Sequence, residues 1–418
     1  MSSTTVSRTD PPPTIPRSPE ASRRSPVPAL FMAMFAAQAS LVVITPALPT
    51  MSADLGVSTA TGGLLRSVSG VAAGVTALAM GHLARRFGLR DLLAVGLAGL
   101  GSGSVAGSAA PTFPVLLVAQ ILVGVSLAVV LAAGIAAAAE WATEDRTRST
   151  VLSWTLAGQP AAWVAGLPVA GLLAGLSWRW SLLVVPVASV AGALLALRGR
   201  PADPPHTARH ALLDLRHEPG VAGWAVGELL AYSAWTGTLV FAGALFVESY
   251  GASSGTTGLL LAAGAAAYVP GSILARRWVG VGARKALVAL ALVAAAGVAA
   301  FGAVRPGIAP SAVAFAGLAF LGGARTMVGS SFGLDLAPGS RVAVTRVRAA
   351  ALQFGYLVGT SVGGAALAAA GYEGMGIAMA AMFVAATVPH LAAAHRRHSG
   401  TRDRAWKADL TEAPGRAG

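Results

Sequence analysis

The chain has 418 residues, of which 55% are hydrophobic and only 11% are charged, and its mean hydropathy is +0.67. Soluble domains carry about 25% charged residues, so this composition excludes an ordinary soluble globular protein. The net charge of +13 indicates contact with anionic lipid rather than nucleic acid, because the cations are scattered over seven short segments and form no single basic patch. The chain contains no cysteine, which excludes disulfides and thiolate metal sites.

Long apolar stretches follow one another from about residue 28 to about residue 394. A helix needs about 20 mostly apolar residues to cross a bilayer. Lipid offers the backbone no hydrogen-bond partner, so each crossing segment must be helical. The sequence therefore predicts an all-α membrane protein with twelve transmembrane helices, here called spans 1 to 12, at 28–49, 61–83, 91–110, 113–138, 149–173, 180–197, 221–247, 255–275, 285–304, 310–334, 347–371 and 373–394.

The lysine and arginine residues predict the orientation of the chain. With the N-terminus in the cytoplasm, 26 of the 30 lie in cytoplasmic segments, while Arg66, Arg179 and Arg305 lie on the outer side and Arg325 lies inside a span. Such an excess of cations on one side is typical of cytoplasmic loops. We therefore expect a multi-pass protein of the cell membrane with both termini in the cytoplasm. The ratio of 28 Arg to 2 Lys, with abundant Ala and Gly, suggests a GC-rich bacterial source.

Polar segments divide the predicted chain into five parts. Residues 1–27 are rich in Pro, Ser and Arg and predict a disordered cytoplasmic tail rather than a signal peptide. A six-helix bundle at 28–198 is joined by a cytoplasmic linker at 199–220 to a second six-helix bundle at 221–394. Residues 395–418 predict a loose, basic cytoplasmic tail.

An internal repeat supports this division into two bundles. The sequence Leu-Ala-Arg-Arg-Phe at 83–87 returns as Leu-Ala-Arg-Arg-Trp at 274–278, which is 191 residues and six spans later. A second match, at an offset of 193, relates glycines of spans 5 and 11: Gly166 and Gly171 to Gly359 and Gly364. Parallel repeats about an axis along the membrane normal predict a substrate site near mid-membrane, between the two halves.

Three segments carry a resemblance to a known family. Residues 47–49 (Ala-Leu-Pro) with 54–56 (Asp-Leu-Gly), residues 81–90 (Gly-His-Leu-Ala-Arg-Arg-Phe-Gly-Leu-Arg) and residues 178–180 (Trp-Arg-Trp) resemble the major facilitator superfamily, in particular bacterial twelve-span drug/proton antiporters. The resemblance covers essentially the whole membrane part. It implies the major-facilitator fold, with two pseudo-symmetric six-helix bundles, alternating access, a small-molecule substrate, protons as coupling ion and a monomeric state.

The sequence departs from the family pattern at three places. Arg85 stands where the loop between spans 2 and 3 usually has an acid, and Gln120 stands where span 4 usually has an arginine. The antiporter motif of span 5 is only partly matched by residues 166–171 (Gly-Leu-Pro-Val-Ala-Gly). The family's standard residues for proton antiport are therefore not carried over to this chain.

Two charged residues fall inside the predicted spans. Glu228 lies roughly 10 Å from the inner end of span 7 and Arg325 roughly 14 Å from the inner end of span 10, at about 1.5 Å per residue. A charge at the centre of a span costs about 2.5–3.5 kcal/mol, so such residues are usually paired or face water. We expect Glu228 and Arg325 to form a coupling pair that protonation or substrate binding breaks. A static ion pair and the absence of any contact are the alternatives.

Polar and aromatic side chains form helical stripes in spans 5, 7 and 11. Such stripes suit a cavity for an amphipathic organic molecule, although the same residue types also occur where membrane helices pack together. The predicted substrate-binding residues are Gln38, Gln120, Gln159, Trp163, Tyr232, Trp235, Arg325, Gln353 and Tyr356.

Two cytoplasmic loops, between spans 2 and 3 and between spans 8 and 9, carry clustered arginines. The family resemblance implies that such loops pair with acids at span ends and act in gating, and the alternative is that they only set the topology. The predicted gating residues are Arg85, Arg86, Arg90, Arg276 and Arg277, with Glu140, Glu144 and Asp145 as possible partners.

No nucleotide-binding Gly-rich motif, zinc motif or Cys/His cluster occurs in the sequence, so we expect no cofactor, no metal and no enzymatic activity. The sequence and the resemblance together predict a secondary transporter that exports a small organic compound, such as a drug or secondary metabolite, by proton antiport. An uptake permease for a sugar, an organic acid or another nutrient is the alternative. The predicted partners are the substrate, protons and membrane lipid, without nucleic acid.

Overall fold

A computed structural model of the chain describes residues 25–141, 145–198, 218 and 220–411. Within these ranges it does not describe the side chains at 85, 145–149, 197–198, 280–281, 342 and 393–411. The described part is helical and has no β-strand. Most of the predicted N-terminal tail and linker, at 1–24, 199–217 and 219, lies outside the described residues.

Sixteen α-helices make up the described part of the chain. They are α1 Val27–Val42, α2 Leu48–Asp54, α3 Thr59–Gly62, α4 Leu64–Arg86, α5 Leu89–Ser108, α6 Phe113–Glu140, α7 Asp145–Ala161, α8 Leu167–Leu176, α9 Trp178–Leu182, α10 Val184–Arg198, α11 Val221–Tyr250, α12 Ser254–Ala266, α13 Tyr268–Leu274, α14 Arg276–Ala303, α15 Ile308–Leu336 and α16 Arg341–Thr411.

Ten helical segments of the described chain are long and apolar enough to cross a membrane, and Val27–Val42 is a shorter apolar helix. One of the ten, Ala343–Ala392, is 50 residues long and bends sharply at Ala370 and Gly371. Gly371 has φ +63°, a left-handed conformation that glycine adopts without steric cost. The bend divides α16 into two segments that correspond to spans 11 and 12, and together with Val27–Val42 the described helices follow the twelve predicted spans.

Several predicted spans are interrupted near prolines, a detail that hydropathy does not reveal. The predicted single span 28–49 is wrong as one helix, because α1 ends at Val42 and α2 begins only at Leu48, with Pro46 in the turn between them. Span 5 contains a π-helical turn at Ala162–Gly166, just after Pro160. Proline lacks the backbone N–H that a continuous helix needs, so the chain adjusts its hydrogen bonding there.

The other spans follow the helices in order. Span 2 consists of α3 and α4, span 3 is α5 and span 4 is α6. Span 6 consists of α9 and α10, and span 7 is α11. Span 8 consists of α12 and α13, span 9 is α14 and span 10 is α15. Span 7 is the most buried of the ten segments, with 83% of its apolar window inside the protein. The last helix continues to Thr411, beyond the predicted end of span 12 at 394.

Two helix pairs make the most extensive contacts between the first six spans and the last six. Span 2 packs along span 11, and the outer half of span 5 packs against span 8. "Outer" here denotes the end that carries the links from odd-numbered to even-numbered spans. At that end, a Cβ added to Gly171 would lie 2.5 Å from the carbonyl oxygen of Ser254, and a Cβ added to Gly364 would lie 2.9 Å from the carbonyl oxygen of Ala60. One pair of the repeated glycines, Gly171 and Gly364, therefore makes equivalent contacts across the interface.

Candidate functional site: a buried charge cluster in the last six spans

The structure brings Glu228 of span 7 and Arg325 of span 10 into direct contact. Arg325 Nη2 donates a hydrogen bond of 2.6 Å to Glu228 Oε1. The Glu228 side chain is fully buried and that of Arg325 is 5% exposed. Of the alternatives left open by the sequence, the absence of contact is excluded, while a coupling role and a static role remain.

Three further polar residues surround this pair, one of them from span 7 itself. His390 of span 12 places Nε2 3.5 Å from Glu228 Oε1. The guanidinium carbon of Arg325 lies 5.3 Å from the centre of the Tyr232 ring, and that of Arg348 in span 11 lies 5.8 Å from the same ring. Four spans of the second half therefore meet at one buried charged cluster.

Glycines on the neighbouring helices leave room for this cluster. A Cβ added to Gly329 of span 10 would lie 2.5 Å from Glu228 Oε1, and one added to Gly227 of span 7 would lie 2.5 Å from His390 Nε2. Trp224, one turn before Glu228, donates a 2.9 Å hydrogen bond from Nε1 to the Gly329 carbonyl oxygen. This bond and the missing side chain of Gly329 fix the position of Glu228 along span 10.

The cluster holds more positive than negative charge. One carboxylate, Glu228, lies among the guanidinium groups of Arg325 and Arg348 and the imidazole of His390. Glu228 Oε2 and both His390 ring nitrogens are buried without a hydrogen-bond partner. A free carboxylate oxygen beside an imidazole can accept a proton, and a protonated Glu228 would leave the guanidinium of Arg325 without its counter-charge.

A small pocket lies beside the cluster, within the last six spans. It brings together three of the predicted cavity residues, Tyr232, Trp235 and Arg325. Trp235 also stacks on Phe315, with ring centres 6.4 Å apart and planes 14° apart. The other lining residues are Ala231, Ala294, Leu321, Gly322, Thr326 and Phe383. The sequence predicted a cavity between the halves, whereas this pocket is lined by the second half alone.

The remaining predicted cavity residues lie elsewhere in the helix packing. Gln38, Gln120 and Gln353 are buried, and the Oε1 atoms of Gln120 and Gln353 have no hydrogen-bond partner. Gln159 of span 5 is half-buried and lies 3.8 Å from the sulfur of Met34, while Trp163 packs against the apolar core from the π-helical turn. These residues therefore lie between packed helices and do not line the pocket that contains Tyr232.

Arg66 and Tyr356 form a second buried cationic site. The Arg66 guanidinium carbon lies 4.6 Å from the centre of the Tyr356 ring, and Nη1 donates a 3.4 Å hydrogen bond to the carbonyl oxygen of Ser40. Arg66, which the sequence placed on the outer side, is buried, with 1% of the residue exposed. It lies one to two turns inside span 2, too deep for its side chain to remain in water.

The predicted gating residues lie at the helix ends opposite to the outer end defined above. Arg86, Arg276 and Arg277 are exposed, and Arg90 is half-buried. The side chains of Arg85, Glu144 and Asp145 lie outside the described residues. Their role in gating stays a prediction.

At the opposite, outer end, Glu248 of span 7 joins the two halves. Its Oε1 accepts a 2.5 Å hydrogen bond from Thr59 Oγ1 at the start of span 2, and its Oε2 accepts a 2.8 Å bond from the Tyr372 hydroxyl of span 12. Nearby, a Cβ added to Gly243 would lie 2.5 Å from the carbonyl oxygen of Thr45. The halves are therefore in close contact at this end.

Sequence reasoning missed three residues of these sites. Arg348 was counted as a loop cation, yet it shares a helical stripe with Gly355 and Gly359, whose missing side chains face span 7. This stripe in the sequence could have indicated that Arg348 faces span 7. His390 and Arg66 gave weaker signals: each is a lone ionisable residue within a largely apolar segment. Among the described residues, no group of three or more potential metal ligands is present.

Comparison with known proteins gives a family for the first half of the chain. A sequence profile of the Major Facilitator Superfamily matches residues 30–226. The puromycin resistance protein pur8 of Streptomyces alboniger is 37% identical over 177 residues, which are 41% of this chain and 34% of that protein. A chloramphenicol resistance protein of Streptomyces lividans is 29% identical over 178 residues, 42% of this chain and 45% of that protein. The matches thus span less than half the length of each relative.

Solved structures show the same fold over most of the chain. A bacterial homolog of the human lysosomal transporter Spinster, in an inward-facing and occupied conformation, superposes with a TM-score of 0.73 at 15% identity, covering 88% of this chain and 96% of that one. The nucleoside transporter NupG gives a TM-score of 0.70 at 14% identity, with 88% and 99% covered.

The profile match and the twelve-helix fold agree with each other and with the motifs of the first half. Members of this family are transporters rather than enzymes. Residues 30–226 therefore match the Major Facilitator Superfamily in sequence, and the described chain as a whole shares the fold of these solved transporters.

Proposed function

We propose that this protein is a secondary transporter that exports a small organic compound from a bacterial cytoplasm by proton antiport. The observation that carries the coupling part is the buried contact of 2.6 Å between Glu228 and Arg325. The direction and the cargo class are supported by the relatives whose names denote resistance to puromycin and to chloramphenicol. In this proposal the protein is a monomer with both termini in the cytoplasm.

Alternating access would use the contacts between the two six-span bundles. The contacts of Thr59 with Glu248 and of Gly171 with span 8 close the outer end, as expected for a state that takes up its substrate from the cytoplasm. For release outside, these contacts separate while spans 2 and 5 rock against spans 11 and 8. The arginine-rich loops at the cytoplasmic ends would stabilise the opposite, outward-open state.

Glu228 is the proposed proton carrier. In the state described, its carboxylate neutralises Arg325 while Oε2 is free to accept a proton. A proton that enters from the outside would bind this oxygen and abolish the ion pair, and Arg325 would then need another partner. Release of the proton to the cytoplasm would restore the pair, so that one proton moves inward in each cycle.

The substrate would lie beside this cluster. Tyr232 and Trp235 offer aromatic faces to an amphipathic molecule, and Arg325 lies within the same pocket. Because Tyr232 contacts the guanidinium of Arg325, a bound molecule that displaces its ring would change the surroundings of the ion pair directly.

The first experiment measures drug susceptibility in a bacterium that lacks its own efflux pumps. Puromycin and chloramphenicol are the first probes, followed by a broad panel of compounds. Wild-type protein is compared with Glu228→Gln and with Glu373→Gln, a matched control that removes an exposed carboxylate at the outer end of span 12. We expect protection by the wild type and by Glu373→Gln, and its loss in Glu228→Gln.

Everted membrane vesicles then test the coupling. Addition of a protective compound should partly collapse a preformed pH gradient with wild-type protein and leave it unchanged with Glu228→Gln. Protection against no compound, with the protein present in the membrane, would contradict export. Protection by Glu228→Gln equal to that of the wild type would contradict the role of Glu228 alone.

A further inference from the structure

Arg66 is a buried cation whose hydrogen-bonding capacity is largely unused. Its side chain is 1% exposed, and its described polar contact is the 3.4 Å bond from Nη1 to the Ser40 carbonyl oxygen. The Nε and Nη2 atoms are both buried without a hydrogen-bond partner. Among the described residues, no carboxylate forms an ion pair with Arg66.

Such an arrangement is costly without a ligand. Burial of an unpaired charge costs several kcal/mol, and an unsatisfied buried donor adds to that cost. The Tyr356 ring beneath the guanidinium recovers part of it, since a cation over an aromatic face is stabilised. The ring occupies a face of the guanidinium, however, and leaves Nε and Nη2 at its edge without a hydrogen-bond partner.

The two unpaired nitrogens of Arg66 indicate which kind of ligand would bind there. Nε and Nη2 lie on one side of the planar guanidinium and direct two parallel N–H groups outward. This fork matches the two oxygens of a carboxylate, which it binds in a bidentate manner. A lysine at this position would supply the charge without the fork.

Arg66 also lies between the two halves of the protein. It is held by Ser40 of span 1 and Tyr356 of span 11, and the adjacent Ser67 bonds to Thr360 of span 11 at 2.6 Å. Gln353, one turn before Tyr356 in span 11, is buried with an unpaired Oε1. A ligand bound to Arg66 would therefore contact both moving parts of the protein.

We infer that Arg66 binds the anionic group, a carboxylate, of an organic acid carried by this protein. The inference rests on the proposed transport function and specifies its substrate class. The charge balance of the interior supports it: the described residues of these two sites include three arginines, Arg66, Arg325 and Arg348, and one buried carboxylate, that of Glu228. An anionic substrate would reduce this excess of positive charge.

The test compares carboxylic acids with their uncharged esters on purified protein in detergent. The probes are 1-naphthoate, indole-3-acetate and 4-phenylbutyrate, each beside its methyl ester, and binding is read from the ligand-dependent rise in unfolding temperature. We expect wild-type protein to bind at least one acid at least tenfold more tightly than its ester. Arg305→Gln, which removes an exposed arginine of the link between spans 9 and 10, should behave like the wild type.

Arg66→Gln should lower the ratio of acid to ester affinity to about one, and Arg66→Lys should leave an intermediate ratio because it keeps charge but not the fork. Size-exclusion profiles establish that each variant is folded. If Arg66→Gln does not fold, the affinity ratio of Arg66→Lys is the test. Equal affinity of acid and ester in the wild type, failure of every acid to bind, or an unchanged ratio in both variants would overturn the inference. Export of uncharged drugs in the susceptibility assay would leave the proposed function standing in each of these cases.

Discussion

Ser58 and Ser253 make the same helix cap at equivalent places in the two halves. Each serine Oγ accepts a 3.1 Å hydrogen bond from the backbone N–H three residues later, that of Thr61 at the start of span 2 and that of Thr256 at the start of span 8. Each also lies at hydrogen-bond distance from the hydroxyl of that threonine, at 2.9 and 3.0 Å. The two six-span halves are thus alike in local detail as well as in overall topology.

The two caps should contribute equally to stability. Ser58→Ala and Ser253→Ala are each expected to lower the free energy of unfolding by about 1 kcal/mol, because each leaves a helix N–H without its acceptor. Thermal unfolding in detergent measures this. Ser102→Ala is the control, since Ser102 is exposed within span 3 and bonds only to a carbonyl of its own helix. A loss in one cap variant and none in the other would contradict the equivalence.

Gly329 should be indispensable for the position of Glu228. In Gly329→Ala the added Cβ meets the carboxylate that Arg325 holds, so we expect a loss of about 1–3 kcal/mol in stability from overpacking and a loss of export. Gly317→Ala, on the same helix, is the control because a Cβ there meets no atom within 4 Å. It should be neutral or stabilise by up to about 1 kcal/mol. Equal effects of the two substitutions, in unfolding and in susceptibility assays, would show that the contact with Glu228 is unimportant.

A disulfide across spans 5 and 8 should stop transport. A Cβ added to Gly255 would lie 4.0 Å from the Cα of Leu172, close enough for a bridge between cysteines at these positions. The chain has no cysteine of its own, so the double variant Leu172→Cys/Gly255→Cys can form only this bridge. We expect oxidation to abolish export and reduction to restore it, with each single variant unaffected by oxidant. Full export by the cross-linked protein would mean that this contact does not open during the cycle.

Glu248 should hold the outer end closed. Glu248→Ala removes both acceptors, for Thr59 and for Tyr372. One of these hydrogen bonds is exposed and the other half-buried, and together they contribute about 1 kcal/mol, or about fivefold in the ratio of closed to open protein. The measurement is the rate at which a membrane-impermeant maleimide alkylates a cysteine introduced at Thr45, which is buried at this end. Glu373→Ala, which removes a nearby exposed acid, should leave the rate unchanged. An unchanged rate in Glu248→Ala would exclude the closing role.

The sequence was sufficient for the number of spans and for the pair at the centre of the site. Hydropathy places twelve spans because burial in lipid requires long apolar segments, and Glu228 and Arg325 are conspicuous because charges inside such segments are rare. Their depths, counted along two straight helices, matched well enough to predict a contact. The structure supplies this contact, whereas its role in coupling remains a prediction.

The same reasoning failed where a residue lies near a predicted boundary. Arg348 falls one residue inside span 11 as predicted, but α16 begins at Arg341, so Arg348 is already in its third turn and reaches Tyr232. Arg66 was placed by counting from the outer end, which cannot reveal that Ser40 and Tyr356 enclose it. Hydropathy reports how deep a residue lies along one helix and contains no information on which neighbouring helix it faces.

The glycine contacts at the outer end have a consequence for genetics. Gly171 and Gly364 occupy equivalent places and bring a bare backbone against a carbonyl oxygen of the opposite half, at Ser254 and Ala60. A bulkier residue at Gly171 would wedge one side of the interface open, and a comparable enlargement at Gly364 would wedge the other. Second-site suppressors of the first defect should therefore arise in span 8, and suppressors of the second in span 2, at positions about 194 residues apart. Selection for restored resistance would thus map the pseudo-symmetry of the protein without any further structure.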